Sequence, residues 1–428
     1  MGFFPSLPKP PGPLPVSTFT LESPIESTLH TPHPPSPARP LKTSLIRVYY
    51  PCDPSTGTSK AESWIPRPFS TYIKGNAHFL RVPPLLVWAL SCISGLLFTR
   101  LPCRKDATPL KRDGGWPTML FSHGLGGSRG AYGAYCAGLA SHGVVVAAIE
   151  HRDGSAAVSY VSTSDGKGEE VPYVRVFDQK VKEKQVHVRT YEFREALRVL
   201  RALNAGHPVE VANSRWHAKN FNYESWKGVM NVKKGQIIAA GHSFGGATAL
   251  SACKDIAEFH LSPAPNSSTP DNYPFSEEFA ATILLDPWMS PTTTNSHIPL
   301  PTPTLTVLSG QFYKWSQNLT AVKELHRGRQ ESKCWVATRS AHLSQSDFGA
   351  LFPWGTKKFA KAEENPVKVL EWNIEATRAF LRDVGVDGIG EGKDVDEAIW
   401  RGEEGWEGVR CEERGRGLHV EGDFGSEF

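Results

Sequence analysis

The sequence predicts an α/β architecture, a mostly parallel central sheet with helices on both faces. Two observations carry this expectation. Short apolar runs recur along the chain, at Thr118–Phe121, Val144–Ile149, Gln236–Ala240, Thr282–Leu285, Leu305–Leu308 and Cys334–Ala337. Such near-continuous runs suit strands buried on both sides of a parallel sheet. Helix-like segments lie between them. In 180–204, Phe193, Leu197 and Leu200 recur at i, i+4, i+7 among charged residues, the spacing of one helix face. Another helix starts at Phe244 and a last one spans 366–383. Strand alternating with helix gives a doubly wound sheet.

The 428 residues set a loose prior of two or three domains. The chain ends are poor in core-forming residues, however, so one sheet takes up the middle. Residues 1–41 hold twelve prolines, a density that excludes helix. Residues 1–11 are expected to be flexible, 12–383 to form the domain, and 384–428, rich in Gly, Glu and Asp, to form a mobile tail. Val16–Leu21 alternates as an edge strand does, and Leu45–Tyr50 is a clearer strand ended by Pro51. The two suit an antiparallel pair at the start of the sheet.

Composition excludes several functions. A net charge of +3 without a Lys/Arg run leaves no nucleic-acid footprint. The seven cysteines are far apart and form no C-x-x-C pair, so neither a zinc site nor any other cofactor is expected. Their odd number, and a start (Met1 to Pro5) with no leader pattern, suggest free thiols in a reducing, cytoplasmic setting. The sequons at Asn266 and Asn318 read as chance matches. Residues 84–98 form an uncharged apolar stretch of fifteen, short of the ~20 needed to span a bilayer. It is either a buried core helix or a helix lying on a lipid surface, with Arg81 and Arg100 flanking it as interfacial anchors would.

The chemistry centres on Gly241-His242-Ser243-Phe244-Gly245-Gly246, directly after one strand and opening a helix. A nucleophile elbow needs a sharp strand-to-helix turn, closed by small residues two before and two after the serine. Ser243 is the candidate nucleophile. An elbow also needs an oxyanion hole: Phe244 N–H is one donor, and Leu125 N–H, in Ser122-His123-Gly124-Leu125-Gly126-Gly127 after an earlier strand, is the other. His123 reads as a brace of that loop. Acid and base should follow the serine in that order. Asp286, in Leu285-Asp286-Pro287-Trp288, stands at a strand's carboxyl end and is the acid, although Asp before Pro also forms turns. Trp288 is the candidate substrate contact. Of His297, His326 and His342, the last comes just after the final strand and is the base. This pattern is that of an α/β-hydrolase.

Several motifs in order resemble one family, the platelet-activating factor acetylhydrolases of the plasma and intracellular type II kind. They are Phe121–Gly126, Leu139-Ala140-Ser141-His142-Gly143, Val146–Ser155, Gly241–Thr248, Leu285-Asp286-Pro287-Trp288-Met289, and His342 followed by Asp347-Phe348. The resemblance covers about residues 12–383. It implies a calcium-independent serine lipase that removes short or oxidised sn-2 acyl groups from phospholipids. It also maps Ser243, Asp286 and His342 onto the triad, and Leu125 and Phe244 onto the oxyanion donors. The stretch at 84–98 falls on the family's interfacial helix, which favours lipid contact. Glu150-His151-Arg152-Asp153 reads as a structural polar cluster. Leu343 follows the base where animal members carry Gln. The competing readings are a general carboxylesterase without phospholipid preference and a non-catalytic lipid-binding protein on a hydrolase fold.

Overall fold

The structure, a computed structural model, describes residues 5–25, 30–31, 39–162, 168–212, 221–254, 274–295, 300–389 and 406–408. One 11-stranded sheet organises them. Its strands are β1 (Val16–Pro24), β2 (Thr43–Pro51), β3 (Arg104–Lys105), β4 (Trp116–Ser122), β5 (Val145–Ile149), β6 (Ile237–His242), β7 (Phe279–Leu285), β8 (Thr304–Ser309), β9 (Lys333–Ala337) and β10 (Trp406–Gly408). They lie in the order β10-β9-β8-β7-β6-β4-β5-β2-β1-β3, with Met230–Asn231 paired beside the start of β4. From β9 across to β5 all neighbours are parallel, while β2 is antiparallel to both β5 and β1. The expected antiparallel opening pair is therefore present.

Strand residues alternate between two cores, as a two-residue period requires. Met119 and Phe121 of β4 join the core beneath helices α3 (Gly133–Ser141) and α6 (Pro366–Asp383), through Ala137 and Phe380. Leu120, between them, points into the core beneath α4 (Gln179–Asn204) and α5 (Phe244–Lys254), through Leu197 and Leu250. Helix starts are marked chemically. The Asp178 side chain takes the Val181 N–H at the start of α4, and Asn365 takes that of Val367 with Pro366 first in α6, satisfying amides that have no partner within the helix. With helices on both faces of a mostly parallel sheet, the molecule has the α/β-hydrolase fold.

Two expectations change, and one open alternative is narrowed. Residues 5–11 do not stand free: Leu7 is buried, and the Thr99 hydroxyl donates to the Pro5 carbonyl. An apolar side chain in the proline-rich leader is enough to draw it onto the body. The tail is not wholly without structure, because β10 pairs antiparallel with β9, whose outer backbone groups would otherwise lack partners. Third, the stretch at 84–98 is not a core helix. It forms helix α2 (Pro84–Ile93) and a turn at Leu96–Phe98, packed beside helix α1 (Phe69–Leu80). Leu85 is 74% exposed, Ile93 82% and Trp88 53%, and within α2 only Ser91 is buried. No helix among the described residues is long and apolar enough to cross a membrane. The sequon at Asn318 is structural: its buried amide takes the Met289 N–H and donates to the Pro287 carbonyl. The one at Asn266 lies outside the described residues.

Substitutions should separate these two kinds of apolar surface. Leu250→Ala, inside the core, is expected to cost about 2–5 kcal/mol in urea unfolding, whereas Leu85→Ser should stay within about 0.5 kcal/mol. A large loss from Leu85→Ser would mean that α2 is packed after all.

Candidate active site

The elbow is built by close backbone contacts. Between β6 and α5 the chain turns through Ser243 at φ 57°, a left-handed conformation rare for a residue with a side chain. A Cβ on Gly241 would collide with the Gly245 carbonyl, and one on Gly245 with the Ser122 carbonyl. Ser243 N–H donates to the Leu285 carbonyl at 2.9 Å, and its own carbonyl accepts from Gly246 and Trp288. Its hydroxyl has no hydrogen-bond partner among the described residues and the residue is 9% exposed, so the oxygen stands at the surface of the site.

Asp286 follows β7 immediately, with φ 43° and its N–H on the Val307 carbonyl. The carboxylate is fully buried. One oxygen accepts the Ser309 N–H at 2.6 Å, and the other pairs with His342 Nδ1 at 2.9 Å. That partner assigns the proton to Nδ1 and leaves Nε2 as the basic nitrogen. The imidazole lies between the Phe312 ring (4.2 Å, 9°) and the His242 ring (4.3 Å, 28°), and the Gln311 side chain accepts its backbone N–H. Burial drives both partners toward neutrality. It pushes the Asp286 carboxyl up, against the pull of the Ser309 hydrogen bond, and holds His342 below its ordinary value. At neutral pH the imidazole is uncharged and able to take a proton.

The structure brings the sequence-predicted residues into one neighbourhood. The 122–127 loop runs against the elbow, so that a Cβ on Gly124 would lie 3.1 Å from Ser243 Cβ. Neither Leu125 N–H nor Phe244 N–H is taken by an acceptor among the described residues. Leu125 and Trp288 pack against Phe244 as a small apolar cluster beside Ser243, the candidate nucleophile. His326, by contrast, is buried at the end of a helix with Nε2 on the Thr306 hydroxyl. His297 lies outside the described residues.

Sequence reasoning missed His242 and Tyr132. The Tyr132 hydroxyl accepts the Gly124 N–H at 3.0 Å and bonds His242 Nδ1 at 2.8 Å, tying the loop to the ring on which His342 stacks. A tyrosine eight residues past Gly124 gives no local signal of this. Behind the loop lies a second Ser-His-Glu set: Ser122 Oγ to His151 Nε2 at 2.7 Å and His151 Nδ1 to Glu192 at 2.6 Å. All three are fully or almost fully buried, so no substrate meets them, and burial pushes His151 down and Glu192 up. The expected Glu150–Asp153 cluster is structural: Glu150 pairs with Arg129, Arg152 with Glu22, and Asp153 with Arg189. His242, Asp286 and His342 offer ligand atoms within 4.8 Å of one another, but the last two already bond each other.

The family model for platelet-activating factor acetylhydrolase, isoform II, matches residues 36–395. The chain belongs to this family. A Schizosaccharomyces pombe relative named "Putative phospholipase A2" is 28% identical over 93% of this chain and 96% of its own. The platelet-activating factor acetylhydrolases of Cavia porcellus and Gallus gallus are each 28% identical. The first match covers 72% of this chain and 64% of its own length, the second 81% and 82%. A solved structure of a ferulic acid esterase from Streptomyces cinnamoneus shares the fold, with a TM-score of 0.56 at 17% identity over 95% of this chain and 99% of that one. Membership makes the protein a carboxylic ester hydrolase.

Burial of neutral histidines makes stability depend on pH. His123 and His326 are each held down to about 4, chiefly by burial and then by Arg189 and Arg329 respectively. A depressed histidine stabilises the fold in full above about pH 6.5, the unfolded value. It loses about 1.4 kcal/mol per pH unit as pH falls toward 4. Unfolding free energy should therefore drop between pH 7 and 5, and His326→Asn should shrink that drop by about 2 kcal/mol. An unchanged pH slope in the variant would show that His326 is not held neutral.

Proposed function

We propose that the protein is a calcium-independent serine lipase that cleaves short or oxidised sn-2 acyl esters of glycerophospholipids through an acyl-enzyme. The observation that carries this reading is the His342–Asp286 bond beside a left-handed Ser243 flanked by two backbone amides that have no acceptor among the described residues. In the proposed cycle Ser243 Oγ attacks the ester carbonyl while His342 Nε2 takes its proton, a contact that closes in the substrate complex. Leu125 and Phe244 N–H receive the developing oxyanion, each donor contributing about 3–4 kcal/mol to transition-state stabilisation. The C–O bond then breaks, His342 returns the proton to the departing lysolipid oxygen, and Asp286 orients the imidazole throughout. Water, deprotonated by His342, attacks the acyl-Ser243 ester and releases the short acid. Neither step requires a metal.

Two features support a small acyl group on a lipid. The apolar cluster of Leu125, Phe244 and Trp288 beside the nucleophile suits an acetyl or short chain, with Trp288 as its contact. Helix α2 exposes Leu85, Trp88, Leu90 and Ile93, and no helix among the described residues is long and apolar enough to cross a membrane; a helix lying on a lipid surface exposes such a face. A general carboxylesterase would use the same triad but gain nothing from α2.

A fluorophosphonate probe should label the wild type and not Ser243→Ala; equal labelling would remove Ser243 as nucleophile. His342→Ala should lower kcat by roughly 10⁴-fold or more, with His326→Ala far milder. In a panel of phosphatidylcholines differing only at sn-2, acetyl should be cleaved far faster than palmitoyl, and a triacylglycerol poorly. Parity across the panel would favour the general esterase. Leu85→Ser with Ile93→Ser should weaken co-sedimentation with phosphatidylcholine vesicles while sparing hydrolysis of p-nitrophenyl acetate. Undiminished vesicle binding would take the lipid role away from α2.

A further inference from the structure

The 122–127 loop can be followed one peptide at a time. The His123 carbonyl accepts Arg189 Nη1 at 2.8 Å, and the Gly124 N–H goes to the Tyr132 hydroxyl. The Gly124 carbonyl accepts the Gly127 N–H at 3.0 Å and His123 Nδ1 at 2.8 Å. The Gly126 N–H donates to the Ser155 carbonyl. From Gly124 to Gly127, only the Leu125 N–H has no acceptor in the described residues.

Leu125 N–H and the Gly124 carbonyl belong to one trans peptide and point in opposite directions. Whatever holds the carbonyl behind the loop therefore aims the amide at the site. Gly124 has no side chain to restrict rotation of that peptide, which is intrinsically free to turn over. The local restraint is the Gly124–Gly127 turn bond, and His123 adds a second. Its tautomer is fixed by its other side: Nε2 accepts the His151 N–H at 3.2 Å, and a backbone amide can only donate. Nδ1 therefore carries the hydrogen, in a ring that is 1% exposed.

We infer that His123 is a positioning residue of the oxyanion hole, whose Nδ1–H holds the Gly124–Leu125 peptide with the Leu125 amide facing the substrate. It touches no reacting atom. The inference rests on the reading of Leu125 N–H as an oxyanion donor. A simple brace would matter through the His123–His151 contact instead, and the two roles use different nitrogens.

Two substitutions separate them. Asparagine places a donor where Nδ1 stands and loses the Nε2 acceptor, whereas glutamine keeps an acceptor near Nε2 and loses the Nδ1 donor. With p-nitrophenyl acetate, His123→Gln should lose about 10- to 100-fold in kcat, with KM changed by less than about 3-fold. That loss stays below the roughly 10²–10³ for complete removal of a donor, because the Gly127 bond remains. Affinity for a trifluoromethyl ketone, which mimics the tetrahedral oxyanion, should fall by the same factor. His123→Asn should stay within a few-fold of wild type, and thermal unfolding midpoints show whether both variants fold. Equal losses in the two, or a loss confined to His123→Asn, would overturn the inference. Independently of any variant, ¹⁵N NMR of the wild type should find the His123 proton on Nδ1 at pH 7; a proton on Nε2 would overturn it as well. Leu125→Pro, which deletes the amide hydrogen, tests the underlying reading. If it leaves kcat intact, the oxyanion assignment fails. If it abolishes turnover while His123→Gln does not, only the role of His123 falls.

Discussion

The site depends on keeping Ser243 in a left-handed turn. That conformation costs about 1–2 kcal/mol, so the fold must supply more than it loses there. It does so with backbone alone: the Ser243 amide on the Leu285 carbonyl, and its carbonyl under the Gly246 and Trp288 amides. The turn can form only because two glycines let three chain segments touch. The same contacts put the end of β7, and hence Asp286, next to the elbow. Ser243 and Asp286, the candidate nucleophile and acid, are thus placed by one set of hydrogen bonds.

Behind the 122–127 loop the protein buries a cluster of ionisable side chains. Arg189, Asp153, Glu192, His151, Arg129 and Glu150 lie at or near zero exposure. Buried ion pairs seldom add net stability, because desolvation consumes most of the Coulombic gain. Their value here is geometric. Arg189 reaches the His123 carbonyl and also lies 4.4 Å from the centre of the Phe244 ring, so one guanidinium touches both the 122–127 loop and the residue after Ser243. Such a network has few alternative arrangements that satisfy its members, and that limits the positions open to the loop.

Much of this was legible in the sequence. Six apolar runs marked the parallel strands, and the positions of the candidate residues Ser243, Leu125, Asp286 and His342, each after a strand, could be read as well. Local pattern carries that information because a strand's carboxyl end is a fixed place in such a sheet. Pairings between distant residues were not legible. Tyr132 meets His242 across 110 positions and Asp347 caps the start of α3 across 214, and no window of sequence records such contacts. The setting of α2 was also undecided, since an uncharged run of apolar residues looks the same whether it faces a core or the solvent. The pairing of 406–408 fell in a segment whose composition promised nothing.

The two ends of the sheet are finished differently from its middle. On one side the last piece is β3, two basic residues long, and on the other β10, three residues long and antiparallel to its neighbour. A long bare edge would be a template on which another chain could add itself, strand upon strand. Among the described residues both termini of this sheet are too short for that, and one carries Arg104 and Lys105. Where the described residues end the sheet, little edge is thus left on which another copy could add a strand.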